Sequence, residues 1–269
     1  MQAARSTLRT LNNISVLNTS PLISWRSSRY AHTRAHAPPP SIESTSRPAA
    51  TASQKQQPAS PAVEFFRHRS AKFLITAVNQ GHYRHLTHPE VAFAGRSNVG
   101  KSSLINSVLC SQKLVKTSKK PGHTSALNFF ALSSRAGPGE ISIVDMPGYG
   151  FRSRNEWGDF IVEYLSKRKV LRRVFMLVEA KVGELKSTDE NFLDLLEEYK
   201  VPAQLVITKA DKLKSADTDQ ISSAVIKQAT RIAPSVLLPQ AIYCSSRTRM
   251  GIDVLQAEVL SVCGLLPSK

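Results

Sequence analysis

The sequence predicts an α/β fold, a mostly parallel six-stranded sheet with helices on both faces. Two observations carry this. Short apolar runs alternate with amphipathic stretches of helical length, the signature of βαβ units on a parallel sheet. The runs are also nearly continuous in apolar residues rather than alternating, as expected of strands covered on both faces.

The strand runs are VAFAG (91–95), LNFFAL (127–132), ISIVDM (141–146), VFMLVE (174–179), AQLVITK (203–209) and AIYCSS (241–246). Helical patterns lie between them at SSLINSVL (102–109), EWGDFIVEYLSKRK (156–169), STDENFLDLLEEYK (187–200), residues 221–232 and GIDVLQAEVLSV (251–262). A further helix is expected over FFRHRSAKFLITAV (65–78). These elements define a globular domain over 61–269.

Residues 1–60 differ in kind. Arg5, Arg9, Arg26, Arg29, Arg34, Arg47 and Lys55 face a single acid, Glu43, and the segment then becomes rich in Pro, Ala, Ser and Gln. So little apolar surface does not offset the entropy of ordering, which predicts a disordered linker. Leu8, Leu11, Ile14 and Leu17 spaced among arginines match a mitochondrial transit peptide and a matrix location, with Arg29 suggesting cleavage after Tyr30. A basic tail that touches nucleic acid is the other reading.

The formal charge of the whole chain is +16, which favours a polyanionic partner: RNA, DNA or an acidic membrane surface. No apolar run reaches the ~18 residues of a membrane span. Cys110, Cys244 and Cys263 are far apart, lack metal-ligand spacing and sit in apolar contexts, so they read as small buried hydrophobes.

The chemistry begins at GRSNVGKSS, between the strand VAFAG and the helix SSLINSVL. It matches G-x-x-x-x-G-K-[ST] in the strand–loop–helix context that a phosphate loop needs. Gly95 and Gly100 allow the backbone of Arg96, Ser97, Asn98, Val99 and Ser103 to wrap phosphate oxygens at a helix N-terminus. Lys101 would reach the β- and γ-phosphates, and the Ser102 hydroxyl would coordinate Mg²⁺. The fold class is accordingly a phosphate-loop NTPase.

The remaining motifs choose the nucleotide. In DMPGYG, Asp145 can hold Mg²⁺ through water, and the Gly148 N–H can meet the γ-phosphate. In TKAD, Asp211 can accept the two guanine donors that adenine lacks, while the Lys209 stem lies across the ring after Thr208. YCSSRT places Ser245 and then a backbone N–H of Ser246 or Arg247 toward the guanine O6. Thr124, in PGHTSALNFF, is the candidate second hydroxyl ligand of Mg²⁺.

Taken together, GRSNVGKSSLIN, KPGHTSALNFF, VDMPGYG, TKADK and SS followed by GI resemble the EngB-type (YihA/YsxC) GTPases over about residues 62–266. The resemblance implies a Ras-like G domain, GTP/GDP with Mg²⁺, and a role in assembling the large ribosomal subunit. With this amino-terminal extension it implies a mitochondrial member whose partner is mitochondrial ribosomal RNA or a subunit precursor, acting as a monomer. Two positions depart from the pattern. Glu179-Ala180-Lys181 stands where the family carries Asp-x-Arg, and Thr208 replaces the asparagine of the general guanine motif, although TKAD is usual in this family.

Lys101, Thr124 and Gly148 are the expected catalytic set. Tyr149 stands where many GTPases place a water-orienting glutamine, which predicts slow intrinsic hydrolysis. Asn98 either helps bind an activating K⁺ or braces the loop. The loops expected to sense the γ-phosphate, 111–125 and 148–156, are basic, and KRKVLRR (167–173) forms a second basic cluster. That cluster reads either as a solvated helix end complementing the helix dipole or as a contact with the phosphate backbone of RNA. The rival to a GTPase switch is a module in which GTP is held structurally, without turnover. A lipid-anchored trafficking GTPase is disfavoured by the ending GLLPSK and by Met1-Gln2.

Overall fold

The computed structural model of the chain describes residues 60–115, 126–133, 139–149, 158–213 and 215–265. The proposed transit peptide and linker therefore lie outside the described residues. Those described belong to one compact unit, Lys55–Lys269.

Helix α1 (Pro61–Arg67) opens the domain, with Ser60 as its N-cap and proline in its first turn. It is followed by strand β1 (Ser70–Ala77), β2 (Glu90–Gly95), α2 (Lys101–Val108), β3 (Leu127–Ser133) and β4 (Gly139–Asp145). Next come α3 (Gly158–Lys167), β5 (Leu171–Glu179), α4 (Ser187–Glu198), β6 (Ala203–Thr208), α5 (Ser215–Ile232), β7 (Ile242–Tyr243) and α6 (Ile252–Val262).

The sheet has seven strands in the order β1-β3-β4-β2-β5-β6-β7. From β4 to β7 the pairings are parallel, whereas β1–β3 and β3–β4 are antiparallel. The expected six strands thus become seven, and the expected helix over 65–78 is corrected to a short helix followed by a strand. The physical reason is pairing: Ser70 to Ala77 run against Leu127 to Ser133, with an irregularity between Phe73 and Ile75. An apolar run this short fits either period, and an available strand edge decided it.

The central strands explain their unbroken apolar sequence. Val91 and Phe93 of β2 join the core on the α1/α2/α6 side, and Ala92 and Ala94 join the core on the α3/α4/α5 side. In β5, Phe175 and Leu177 point one way, and Val174, Met176 and Val178 the other. Helix α4 contributes Phe192, Leu193, Leu195 and Leu196, and α6 contributes Ile252, Leu255, Val259 and Leu260. Burying a side chain of this size stabilises by about 1.5–3 kcal/mol, so these two layers hold the strand ends in register.

Strand β2 lies between β4 and β5, where chain order reverses across the sheet. Such a switch point leaves a crevice beyond the carboxyl ends of the strands, the usual ligand position in open α/β sheets.

Two further expectations are corrected. KRKVLRR is a helix end only at its start: Lys167 closes α3, and residues 171–173 begin β5. Two of its arginines are committed internally, Arg168 to Glu90 and Arg173 to Glu258 and Gln204. Buried carboxylate and amide oxygens captured these cations before solvent could. Cys110 is exposed, with a positive φ of 51°, because it sits in the turn that ends α2; Cys244 and Cys263 are buried as expected.

Candidate functional site

The phosphate loop leaves β2 at Gly95 and enters α2 at Lys101. A side chain at Gly95 would fall 2.9 Å from the Leu177 Cβ and 3.0 Å from its carbonyl, so only glycine lets the loop start this close to β5. Gly100 has φ 103°, a conformation that an L side chain strains to adopt. Between them Asn98 also takes a left-handed φ of 66°, which asparagine tolerates better than most residues. These turns bring the chain to the α2 N-terminus, whose first amides have no partner within the helix.

The loop is stitched to the segment after β4. The Ser97 N–H donates to the Tyr149 carbonyl at 3.0 Å, and Arg96 forms a parallel bridge with Tyr149. A Cβ on Gly148 would lie 3.1 Å from the Ser97 hydroxyl oxygen, so the backbones approach closely. At the end of β4 the Asp145 carboxylate forms an ion pair with the Lys101 ammonium. Both side chains are largely shielded, and Ser102, next to Lys101, is half-buried. A carboxylate, a hydroxyl and a lysine therefore converge at the helix N-terminus. Thr124 lies outside the described residues, as do residues 116–125 and 150–156 of the two expected sensing loops.

The second half of the site is built by β6 and β7. The Thr208 hydroxyl donates to the Val99 carbonyl at 2.7 Å and to the Val178 carbonyl at 3.3 Å. Lys209, at φ 55°, reaches back over the phosphate loop, where its ammonium donates to the Asn98 carbonyl at 3.0 Å and to Glu179 at 2.8 Å. Glu179, the departure noted in the sequence, thus anchors Lys209. Asp211 follows in a short 3-10 turn that is tied to the end of β7 by the Ala210 N–H and Cys244 carbonyl, 3.1 Å apart.

Across from Asp211 lies SSR. Arg247 donates to Asp211 Oδ2 from Nε at 3.0 Å and from Nη2 at 2.8 Å. The bond from the Ser245 hydroxyl, and then Arg247, hold the Asp211 carboxyl below the usual carboxylate range. Ser245 is buried and also caps the turn through the Thr248 N–H at 3.2 Å; Ser246 is half-buried beside it. Asp211 is thus held as a carboxylate, with Oδ2 engaged by the Arg247 guanidinium.

Two residues of the site escaped the sequence. Asp189 is buried; its carboxylate accepts from the Lys186 N–H at 3.1 Å and lies beside the Tyr149 phenol. Its third position in α4 signals a helix cap, whereas its contact with Tyr149 has no local sequence signal. Asn106 grips both backbone groups of Val115 at 2.9 Å, fixing the start of the loop after α2. Tyr149 itself is buried against Phe192, with ring centroids 5.2 Å apart.

Against known proteins, residues 90–209 match the family model described as 50S ribosome-binding GTPase. The chain is 41% identical over 179 residues to the probable GTP-binding protein EngB of Rhodospirillum rubrum, covering 64% of this chain and 76% of that one. The chain belongs to the EngB family. The EngB protein of Desulfosudis oleivorans is 36% identical over 203 residues, which span 98% of its length and 74% of this chain. Among solved structures, a dimerization-deficient mutant of Toc33 from Arabidopsis thaliana superposes with a TM-score of 0.53 at 17% identity, covering 77% of this chain and 92% of that one. That match concerns the fold alone, a Ras-like phosphate-loop G domain. The family-model match runs from β2 through the phosphate loop to Lys209 and stops before Asp211.

Proposed function

We propose that this EngB-family chain is a GTP-binding switch with slow intrinsic GTPase activity, acting in assembly of the large mitochondrial ribosomal subunit or in mitochondrial translation. The observation that carries the reading is the Thr208–Val99 bond, which fixes the Asp211 side of the site to the phosphate loop. Guanine on Asp211, Ser245, Ser246 and the Arg247 backbone would leave its phosphates over Asn98, Val99, Gly100, Lys101 and Ser102.

The residues present suit Mg²⁺, a hard cation that takes oxygen ligands and shares them with substrate phosphates. Ser102 and Thr124 would supply hydroxyls, and Asp145 a carboxylate through water. The cation would neutralise charge between the β- and γ-phosphates. Lys101 would leave Asp145 for the phosphates, and the Gly148 N–H would hold the γ-phosphate. Phosphoryl transfer to water depends mainly on such positioning and charge neutralisation. No glutamine follows Gly148, and the Tyr149 side chain faces the core, so this chain lacks a water-orienting group at that position. That supports slow turnover. It equally leaves room for the rival reading, a GTP-stabilised ribosome-binding module.

The test is co-sedimentation with mitochondrial ribosomal particles in the presence of a non-hydrolysable GTP analogue or GDP, with GTP turnover measured on the same particles. Association with large-subunit precursors in the GTP state, and faster hydrolysis there, are expected. Association without stimulated hydrolysis would favour the rival module. No association in either state would overturn the ribosomal role, and import assays with the full chain address the mitochondrial address.

A further inference from the structure

A cavity of about 240 Å³ opens at the opposite end of the sheet from the phosphate loop. Gln80, Tyr83, Arg84, Lys167, Arg168 and Lys169 line much of it. They come from the segment before β2 and the turn between α3 and β5, so the cavity lies at the amino ends of parallel strands. Glu90, the first residue of β2, stands five positions before Gly95, roughly 17 Å at the rise of a strand. Bound nucleotide would not reach it.

The cavity is rigid at its base. Glu90 is fully buried and receives Arg168 Nε at 2.9 Å. Arg168 Nη2 donates to the Leu86 carbonyl at 2.6 Å, and the guanidinium lies 4.9 Å over the Tyr83 ring. Burial raises the Glu90 pKa while its bonds from Arg168 oppose that rise. Arg168 and Glu90 roughly cancel in charge, so the surplus comes from Arg84, Lys167 and Lys169, all exposed. Lys167 has one acidic neighbour, Glu163 at 3.3 Å, in a solvent-exposed helical pair of the kind worth little. Among the described residues, no carboxylate side chain lines the cavity.

We propose that this cavity is a phosphate-binding anchor for the backbone of RNA, occupied in both nucleotide states. The proposal rests on the reading that the partner is ribosomal RNA. Its chemistry suits phosphodiester oxygens: three cations around a concavity, with Gln80 and Thr87 adding exposed polar groups. An acidic protein partner fits less well, because Tyr83 is buried and the rim lacks an exposed aromatic anchor of the kind protein interfaces favour. The anchor holds RNA continuously, whichever nucleotide is bound.

The experiment uses the full chain and its Arg84→Glu/Lys169→Glu double variant, whose substituted side chains are exposed. Binding is measured to an A-form RNA duplex of about 16 base pairs and to polyglutamate. Each is measured with a GTP analogue and with GDP across a salt series. The double variant is expected to bind RNA at least about tenfold more weakly in both states, with a salt-dependence slope lower by about two. Its affinity for labelled GDP should remain within about twofold. Unchanged RNA affinity, a loss in one nucleotide state only, or no RNA binding by the parent chain would each overturn the anchor. A loss for polyglutamate alone would overturn it in favour of an acidic protein. If RNA binding is insensitive to the substitutions while ribosomal co-sedimentation persists, only the anchor fails. If co-sedimentation fails while the RNA result holds, only the ribosomal reading fails.

Discussion

The Thr208 hydroxyl donates to the Val99 carbonyl at 2.7 Å, so the end of β6 is bonded directly to the phosphate loop. The hydroxyl is buried and serves the Val178 carbonyl as well. Thr208→Val keeps the shape and removes the donor, leaving the Val99 carbonyl without this partner. The expected loss is about 1–3 kcal/mol of stability, read as a lower denaturation midpoint, together with weaker GDP binding. An unchanged midpoint and affinity would show that packing alone aligns the two halves.

Asp211 should determine the base. Asp211→Asn turns an acceptor oxygen into a donor, and GTP affinity should fall by up to about 10⁴-fold, with xanthosine triphosphate binding in its place. Equal GTP affinity in both proteins would remove Asp211 from the base site. Arg247→Ala removes the cation that engages Asp211 Oδ2. Since that arginine is mostly exposed, its ion pair is weak, and nucleotide affinity should rise by no more than about fivefold. A large fall would mean that the guanidinium contacts nucleotide itself.

Placing a glutamine at position 149 should not accelerate hydrolysis. The side chain there points at Phe192 and Asp189 rather than at the phosphate loop. Tyr149→Gln is expected to cost about 3 kcal/mol through lost aromatic packing, with single-turnover GTP hydrolysis no faster than in the parent. Tyr149→Phe keeps the ring contact and should cost only about 1 kcal/mol. Faster hydrolysis in Tyr149→Gln would contradict the buried orientation.

Hydrolysis should be faster in K⁺ than in Na⁺. Asn98 is exposed at the tip of the phosphate loop, and its carbonyl is held by Lys209, leaving the amide side chain to serve a cation. Asn98→Gly preserves the left-handed backbone and removes that amide, so K⁺ stimulation should disappear while GDP binding persists. Equal rates in K⁺ and Na⁺ for the parent would assign Asn98 to bracing the loop.

Acid stability offers a separate check at the α4–α5 junction. Bonds from Lys200 and Ser235 hold the Glu197 carboxyl down at about 2, against an ordinary value of 4.5. A depressed carboxyl contributes stability above its unfolded pKa and loses it as pH falls through its folded pKa. Glu197→Gln should therefore melt below the parent at neutral pH, and the gap should close between pH 4.5 and about 2. A gap independent of pH would mean that the carboxylate charge is not what matters.

The parallel strands and their helices were legible because burial on both faces writes itself locally, as in VAFAG and VFMLVE. The phosphate loop and TKAD were legible because both need particular residue types at short spacing. Other features depended on distant partners. FLITA suited a strand as well as a helix, and the edge offered by β3 decided between them. Arg168 and Arg173 sat in a run that looked solvated, yet one is bound by Glu90 and the other by Glu258, far away in sequence. Asp189 showed its capping role and hid its contact with Tyr149.

By itself, the sequence determined that this chain folds as an α/β phosphate-loop domain and which residues make its turns. It could do so because turn geometry, helix capping and strand burial act over a few residues. Only the tertiary structure decided which charges are spent inside the protein and which remain for a partner. That choice follows from desolvation: an arginine beside a buried carboxylate is captured, and the same arginine at a surface is not. The Tyr149 phenol was turned from the reaction to the core in the same way, by Phe192 and Asp189 arriving from a helix about forty residues on in the chain.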